Sequence, residues 1–500
     1  MNVRGLAPAC LLLMVTAGCG DPELWARYRI EREFWNARRG LERLQLNPRL
    51  VTDRDYAGVE SAFESIVRHF PPERWARTEG SARATDVALV SGRAALAVAR
   101  LEEIREHTDP ALNAYARVVR DWKAVPAIAL EAAIARASAL ERLGRAGEAI
   151  AAWSELATGF PMVDPVRGEA ILPVLDAPLR VATARRLSGD RAGADSILIA
   201  AEARYTAELD RRHGGRAAPE IWVRLSDARA QRGAYDGAMD ALRRALAEPE
   251  ADRAAPRLVL ALSQRALEAG RPDSALAYAA WAERGFDGRA QAEAMMLSGR
   301  AWEARGVTDS ALAAYQRFLD RYSQAPDAAA QTRFRRGVIL ENAGRWEQAA
   351  TEFRLLADSQ PTHELGFEAL LRIVRHYVSR GQSDLARIEG RRALEQVDRL
   401  ITIQRDVPVQ LLARRTRGEL QLALGENSAA FETFSEVWTR SPRTPAGALA
   451  GLKAALIAEQ QLHDPVRALA LNEQLERKAG SADVQRQARA ALDRLRAVRN

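Results

Sequence analysis

Residues 306–326 read GVTDSALAAYQRFLDRYSQAP, and residues 106–126 read EHTDPALNAYARVVRDWKAVP. Far apart in the chain, they pair Thr108 with Thr308, Asp109 with Asp309, Ala111 with Ala311, Leu112 with Leu312, Ala114 with Ala314, Tyr115 with Tyr315, Arg117 with Arg317 and Pro126 with Pro326. Self-similarity of this kind is the signature of a repeat array, so the remaining sequence is read in the same register.

The register extends through Gly144, Gly189, Gly233, Gly270, Gly306, Gly344, Gly381 and Gly425. Five residues after each stands alanine, from Ala149 and Ala194 through Ala238, Ala275, Ala311, Ala349 and Ala386 to Ala430. Arg54, Glu106 and His463 occupy the same place without glycine and lead to Val59, Ala111 and Ala468. Nine residues on, most units carry a large apolar residue (Phe63, Tyr115, Trp153, Leu198, Leu242, Tyr315, Phe353, Phe434), with Ala279, Gly390 and Asn472 as exceptions. Twelve residues on, every unit is apolar, from Ile66 to Leu475.

Each position has a physical task. Glycine follows a helix where the chain turns with positive φ. The small alanine lets the next helix approach closely, and the later positions share one face of that helix. Proline at Pro71, Pro161, Pro361 and Pro442 separates one unit from the next. The units are therefore helix–turn–helix hairpins. This pattern resembles the tetratricopeptide repeat, most closely at Gly233–Ala238 and Gly344–Ala349. The resemblance implies an all-α, right-handed solenoid of about eleven hairpins with a concave surface for protein or peptide partners.

The steps are uneven, at 52, 38, 45, 44 and 37 residues before Gly270 and 36, 38, 37, 44 and 38 after it. Irregular repeats over 19–213 and more regular ones over 214–500 are expected, with a joint at His213–Pro219. Pro173 and Pro178 are expected to kink a helix between 165 and 187. Residues 22–47, with Trp25, Tyr28, Phe34 and Trp35, read as a first long helix whose aromatics pack as an atypical cap.

The N-terminus reads MNVRGLAPACLLLMVTAGC, with a positive Arg4, a short apolar stretch over 6–15 and small residues before Cys19. This resembles the bacterial lipobox, with Thr16 where that pattern carries Leu or Val. The resemblance implies a signal peptide over 1–18, acylation of Cys19, and a lipid-anchored protein on the periplasmic face of the envelope, in the outer membrane. The chain has two cysteines, and Cys10 lies inside the segment that would be removed. No thiol is then left for a metal or for catalysis.

Of 73 basic residues all but Lys123, Lys453 and Lys478 are arginine, spread among 66 acidic ones without blocks. The net charge of +7 is accordingly read as solvated faces, with no nucleic-acid site. The six histidines show no metal-ligand spacing; His363-Glu364 opens like a zincin motif, but Phe367 stands where the second histidine belongs. Glu60-Ser61-Ala62-Phe63 is similar to the fragment around the catalytic glutamate of lytic transglycosylases, but the Gly-Leu-Met-Gln that follows there is missing. The chain is read as a non-enzyme without cofactor or metal. Trp153 and Trp438 are assigned to the core, and Trp222 and Trp302, on first helices, are the candidate binding residues. The overall form resembles helical-repeat lipoproteins that serve outer-membrane or cell-wall assembly, with a polysaccharide-export scaffold as the alternative.

Overall fold

The computed structural model describes residues 22–46, 52–77, 81–211, 215–249 and 251–499. Cys19 and the segment before it lie outside the described residues, as do 212–214 of the expected joint. The described regular structure is helical, apart from one isolated antiparallel bridge between Val163 and Ala170. The chain forms two compact units, one ending at Leu258 and the other beginning at Val259, with the division inside the helix Ala255–Glu268.

The turns follow the register closely. All eight aligned glycines have positive φ, between 69° and 88°. The two described non-glycine residues with positive φ are Glu106 and His463, the positions that share the register without glycine. In each of these ten units the second helix starts two residues later, for example at Thr108, Ala146, Thr308, Trp346 and Pro465. Hydrogen bonds explain the constancy. The Arg345 amide donates to the Leu340 carbonyl at 2.8 Å and the Gly344 amide to Glu341 at 3.0 Å, which closes the end of the preceding helix. The His107 amide to Glu102 and the Glu106 amide to Glu103 repeat this without glycine.

Arg54 is the exception. It lies inside the helix Asp53–His69, which opens with a capping box in which the Asp55 carboxylate accepts from the Thr52 amide at 2.8 Å and hydroxyl at 2.6 Å. The first unit thus starts from a capped loop, not from a turn. Pro173 departs from expectation too. It falls in the first turn of the helix Leu172–Leu187, where a missing amide costs nothing, and only Pro178 lies inside. The preceding 165–171 form a loop held by Asp164, whose carboxylate accepts from the Val166 and Arg167 amides.

The small and apolar register positions form the core. Every described alanine five residues past a turn is buried, as is every residue at twelve, from Ile66 to Leu475. Trp153 and Trp438 are core residues. A further position completes the packing. Seven residues before nine of the ten turns stand Ala99, Ala137, Ala182, Ser226, Ser263, Gly299, Gly337, Val374 and Gly418, all buried, whereas before His463 the position is Leu456, which is exposed. A methyl on Gly337 would lie 2.5 Å from the Phe353 ring, one on Gly418 2.8 Å from Phe434, and one on Gly299 would overlap Tyr315. In these three hairpins the ring sits over glycine, which lets the two helices close without a void.

Consecutive helices pack on one another in both units, and some first helices also touch the first helix of the next hairpin, as Pro326–Asn342 does Glu364–Ser379. The first helix, Pro22–Leu46, corrects the sequence reading. Ile30 and Ala37 are buried and Phe34 meets Phe63 edge-on, but Trp25, Tyr28 and Trp35 face solvent.

Candidate functional site

In the unit from Val259 onward, three first helices in a row, Glu364–Ser379, Val407–Ala423 and Pro445–Gln460, line one groove of about 550 Å³. The helices Glu364–Ser379 and Val407–Ala423 pack on one another, and each of the three helices contributes a leucine to the lining. Leu365, Leu412 and Leu449 supply apolar lining, Leu449 being 57% exposed. Phe434, from the second helix between the last two, reaches the floor over Gly418.

The polar lining is organised around Glu419. It pairs with Arg375 at 3.1 Å and with Lys453, whose ammonium also lies 5.6 Å from the centre of the Phe434 ring. Arg415 reaches Glu364 at 3.6 Å. Glu368 lines the groove half-buried, and among the described residues no cation pairs with it. Apolar steps flanked by paired charges and one uncommitted carboxylate suit a peptide segment with apolar side chains and a cation.

The two tryptophans singled out from sequence are both half-buried on first helices, Ala218–Gln231 and Gly288–Ala304. Trp222 donates its indole N–H to Glu248 at 2.7 Å, and Arg244 lies over its ring. Arg305 lies over Trp302. Neither tryptophan is among the residues that line the groove. Leu365, Leu412 and Leu449 escaped sequence reading because they lie 47 and 37 residues apart and at different places on their first helices, so no register position marks them.

In the unit ending at Leu258, Glu60 sits between the helices Asp53–His69 and Ala82–Ile104, only 8% exposed. It contacts Arg105, which also holds Asp53 at 2.7 and 3.1 Å, and it hydrogen-bonds Glu102, itself 2.6 Å from His107 Nδ1. Burial, followed by the hydrogen bond and charge of Glu102, pushes the Glu60 carboxyl up from 4.5 to about 7, against the opposing pull of Arg105. The neighbouring groove of about 490 Å³ is lined by Glu64, Val67 and Arg68 of the same helix, not by Glu60. Among the described residues no group of three His, Cys, Asp or Glu could hold a metal, and no helix is long and apolar enough to cross a membrane. His363 caps a helix by accepting from the Leu365 amide, and His376 stacks on Trp346 at 3.4 Å.

A sequence model of the tetratricopeptide repeat matches residues 260–326 and 308–364, and the chain carries repeats of this kind. No curated protein matches it. Among solved structures it is similar to a tetratricopeptide repeat protein from Parabacteroides merdae, with 17% identity over 56% of this chain and 98% of that one and a TM-score of 0.31. It is also similar to yeast Tom70, with 11% identity, 89% and 96% coverage and a TM-score of 0.34. The apo form of RapI gives 12% identity, 73% and 98% coverage and a TM-score of 0.35.

Proposed function

We propose that this protein is a lipid-anchored scaffold of the bacterial cell envelope, tethered through Cys19 on the periplasmic face of the outer membrane, which binds protein segments along the first helices of its repeats. Repeat hairpins offer extended surfaces for protein partners, and tethering confines the search for a partner to one membrane face. The observation that carries the binding part is the groove under Leu365, Leu412 and Leu449, where three helices present apolar steps between fixed charges. The lipobox-like ending at Cys19 supports the anchored part.

A photo-crosslinking amino acid placed at Leu449 in intact cells tests the first part. It should capture one defined protein, while the same probe at Ile388, 64% exposed on the second helix Ser383–Ile403, should not. Leu449→Arg should abolish the capture by putting a charge on the apolar step. Equal capture at both positions would overturn the assignment of the groove. For the anchor, Cys19→Ser should abolish fatty-acid labelling and loosen the attachment of the protein to the membrane fraction; unchanged labelling would overturn it.

A further inference from the structure

The helix Pro22–Leu46 has two faces with different fates. At 100° per residue, Ala26, Ile30, Phe34, Ala37 and Leu41 fall on one side. That side packs on the core around Phe63 and Val87. The opposite side carries Trp25, Tyr28 and Trp35, which are 54%, 60% and 55% exposed. Large aromatics left this open, in a stripe along one straight helix, are uncommon on a finished surface.

The arginines of the same helix divide the same way. Arg27, Arg29 and Arg38 each pair with a glutamate four residues on, Glu31, Glu33 and Glu42, at 3.2, 2.8 and 3.0 Å. Arg32, Arg39 and Arg43 lie on the aromatic side, and among the described residues no carboxylate pairs with them. The Arg39 guanidinium rests 4.6 Å from the centre of the Trp35 ring. These three cations, on the same side as three indole or phenol rings, complement an anionic surface that is polar outside and apolar just beneath.

We propose that this face lies on the surface of an anionic phospholipid membrane. Tryptophan and tyrosine favour the boundary between headgroups and acyl chains, and arginine can lay its stem on apolar surface while reaching phosphate. From Trp25 to Arg43 the stripe extends over about 27 Å at 1.5 Å per residue, and it matches a flat partner better than a pocketed one. The helix begins three residues after Cys19. The inference rests on the envelope reading to this extent: an acylated Cys19 would hold the stripe at the headgroups, so that lipid and helix act as two linked, individually weak anchors.

The test uses the full chain carrying Cys19→Ser, so that no acyl group contributes, in flotation with phosphatidylcholine vesicles and with vesicles of equal parts phosphatidylcholine and phosphatidylglycerol. The chain should float with the anionic vesicles, less with the neutral ones, and dissociate as salt rises. Arg32→Gln, Arg39→Gln and Arg43→Gln together should weaken anionic binding roughly tenfold or more, since each cation near such a surface contributes severalfold. Trp25→Ser, Tyr28→Ser and Trp35→Ser together should weaken binding to both kinds of vesicle. Removal of the flanking acids by Glu31→Gln and Glu42→Gln should strengthen it, an outcome that misfolding cannot mimic. Absence of flotation, or flotation unchanged by the arginine and aromatic sets, overturns the proposal and leaves a protein as the partner of this face. Fatty-acid labelling of the unsubstituted chain in cells reports on Cys19 separately, so failure of the anchor and failure of the helix face give different results.

Discussion

Two hairpins, Ala82–Ile104 with Thr108–Asp121 and Gly288–Ala304 with Thr308–Tyr322, lie in different units and show what the repeat preserves and what it leaves free. Tyr115 donates to Glu103 at 2.9 Å, and Tyr315 donates to Glu303. Each glutamate also takes an arginine of the next first helix, Arg142 and Arg335. Asp109 pairs with Arg145, and Asp309 with Arg345, at 2.7 Å in both places. The turn residue changes from Glu106 to Gly306, the residue under the ring from Ala99 to Gly299, and only the first hairpin has a buried carboxyl cluster beside it. The common elements are steric fits and bonds that join one hairpin to the next; those that vary are local.

The largest effects should come from the fits that both hairpins share. Ala111→Leu and Ala311→Leu each place a larger side chain at a fully buried site and should cost about 3 kcal/mol, the upper range for overpacking. Two residues on, Asn113 and Ala313 are exposed, and leucine there should cost under about 0.5 kcal/mol. Denaturant unfolding followed separately in each unit by hydrogen exchange measures both. A similar cost at the exposed pair would break the assignment of faces. Next comes Gly299→Ala, whose methyl would overlap the Tyr315 ring and should cost about 2 kcal/mol. Its counterpart Ala99→Gly has no clash to relieve and should cost about 1 kcal/mol through helix propensity alone.

The second fit also shows where sequence reading stopped. The turns and the positions after them were legible because left-handed φ and close helix approach admit few residue types, so Glu106 and His463 could be placed by register before their φ was known. The position under the ring was not, because Gly299, Ser263 and Ala137 look ordinary within helices of an alanine-rich chain. Its signal is a spacing of sixteen residues between a small residue and a large ring, visible only once the hairpin is folded. Arg54 was misplaced because Thr52 and Asp55 start that helix by capping, without a turn. Trp25, Tyr28 and Trp35 were assigned to packing on composition, although their spacing puts them opposite Ile30 and Ala37. The groove and the ion-pair ladder join residues one repeat apart, and among 73 bases and 66 acids no spacing singles them out.

The carboxyl cluster gives the hairpin of the first unit a pH response that its counterpart lacks. A carboxyl raised from 4.5 to about 7 on folding contributes stability that is fully present below about pH 4.5 and lost as pH rises through 7. The full shift corresponds to about 3 kcal/mol, and partial hydration should leave about 1–2 kcal/mol. Exchange in residues 53–121 should therefore quicken between pH 5 and pH 8 more than exchange in 288–322. Glu60→Gln should flatten that difference. An unchanged slope in the variant would move the titration to another group.

The smallest effect lies in the turn itself. Gly306 at φ 79° and Glu106 at φ 61° occupy the same left-handed region, and both amides close the same helix end. For a residue with a Cβ this conformation costs about 1–2 kcal/mol, whereas glycine adopts it freely but loses about 0.5–1 kcal/mol more chain entropy on folding. Gly306→Glu should therefore cost about 1 kcal/mol or less, and Glu106→Gly should gain about 0.5 kcal/mol. The contacts do not alter this balance at Gly306, where an added Cβ meets nothing within 4 Å. Comparing the two exchanges in one experiment isolates the backbone contribution, since the neighbouring hydrogen bonds are alike. A gain at Glu106 with an equal loss at Gly306 would show that the turn is interchangeable between the hairpins. A loss at both would mean that the Glu106 side chain contributes to its hairpin beyond the backbone difference.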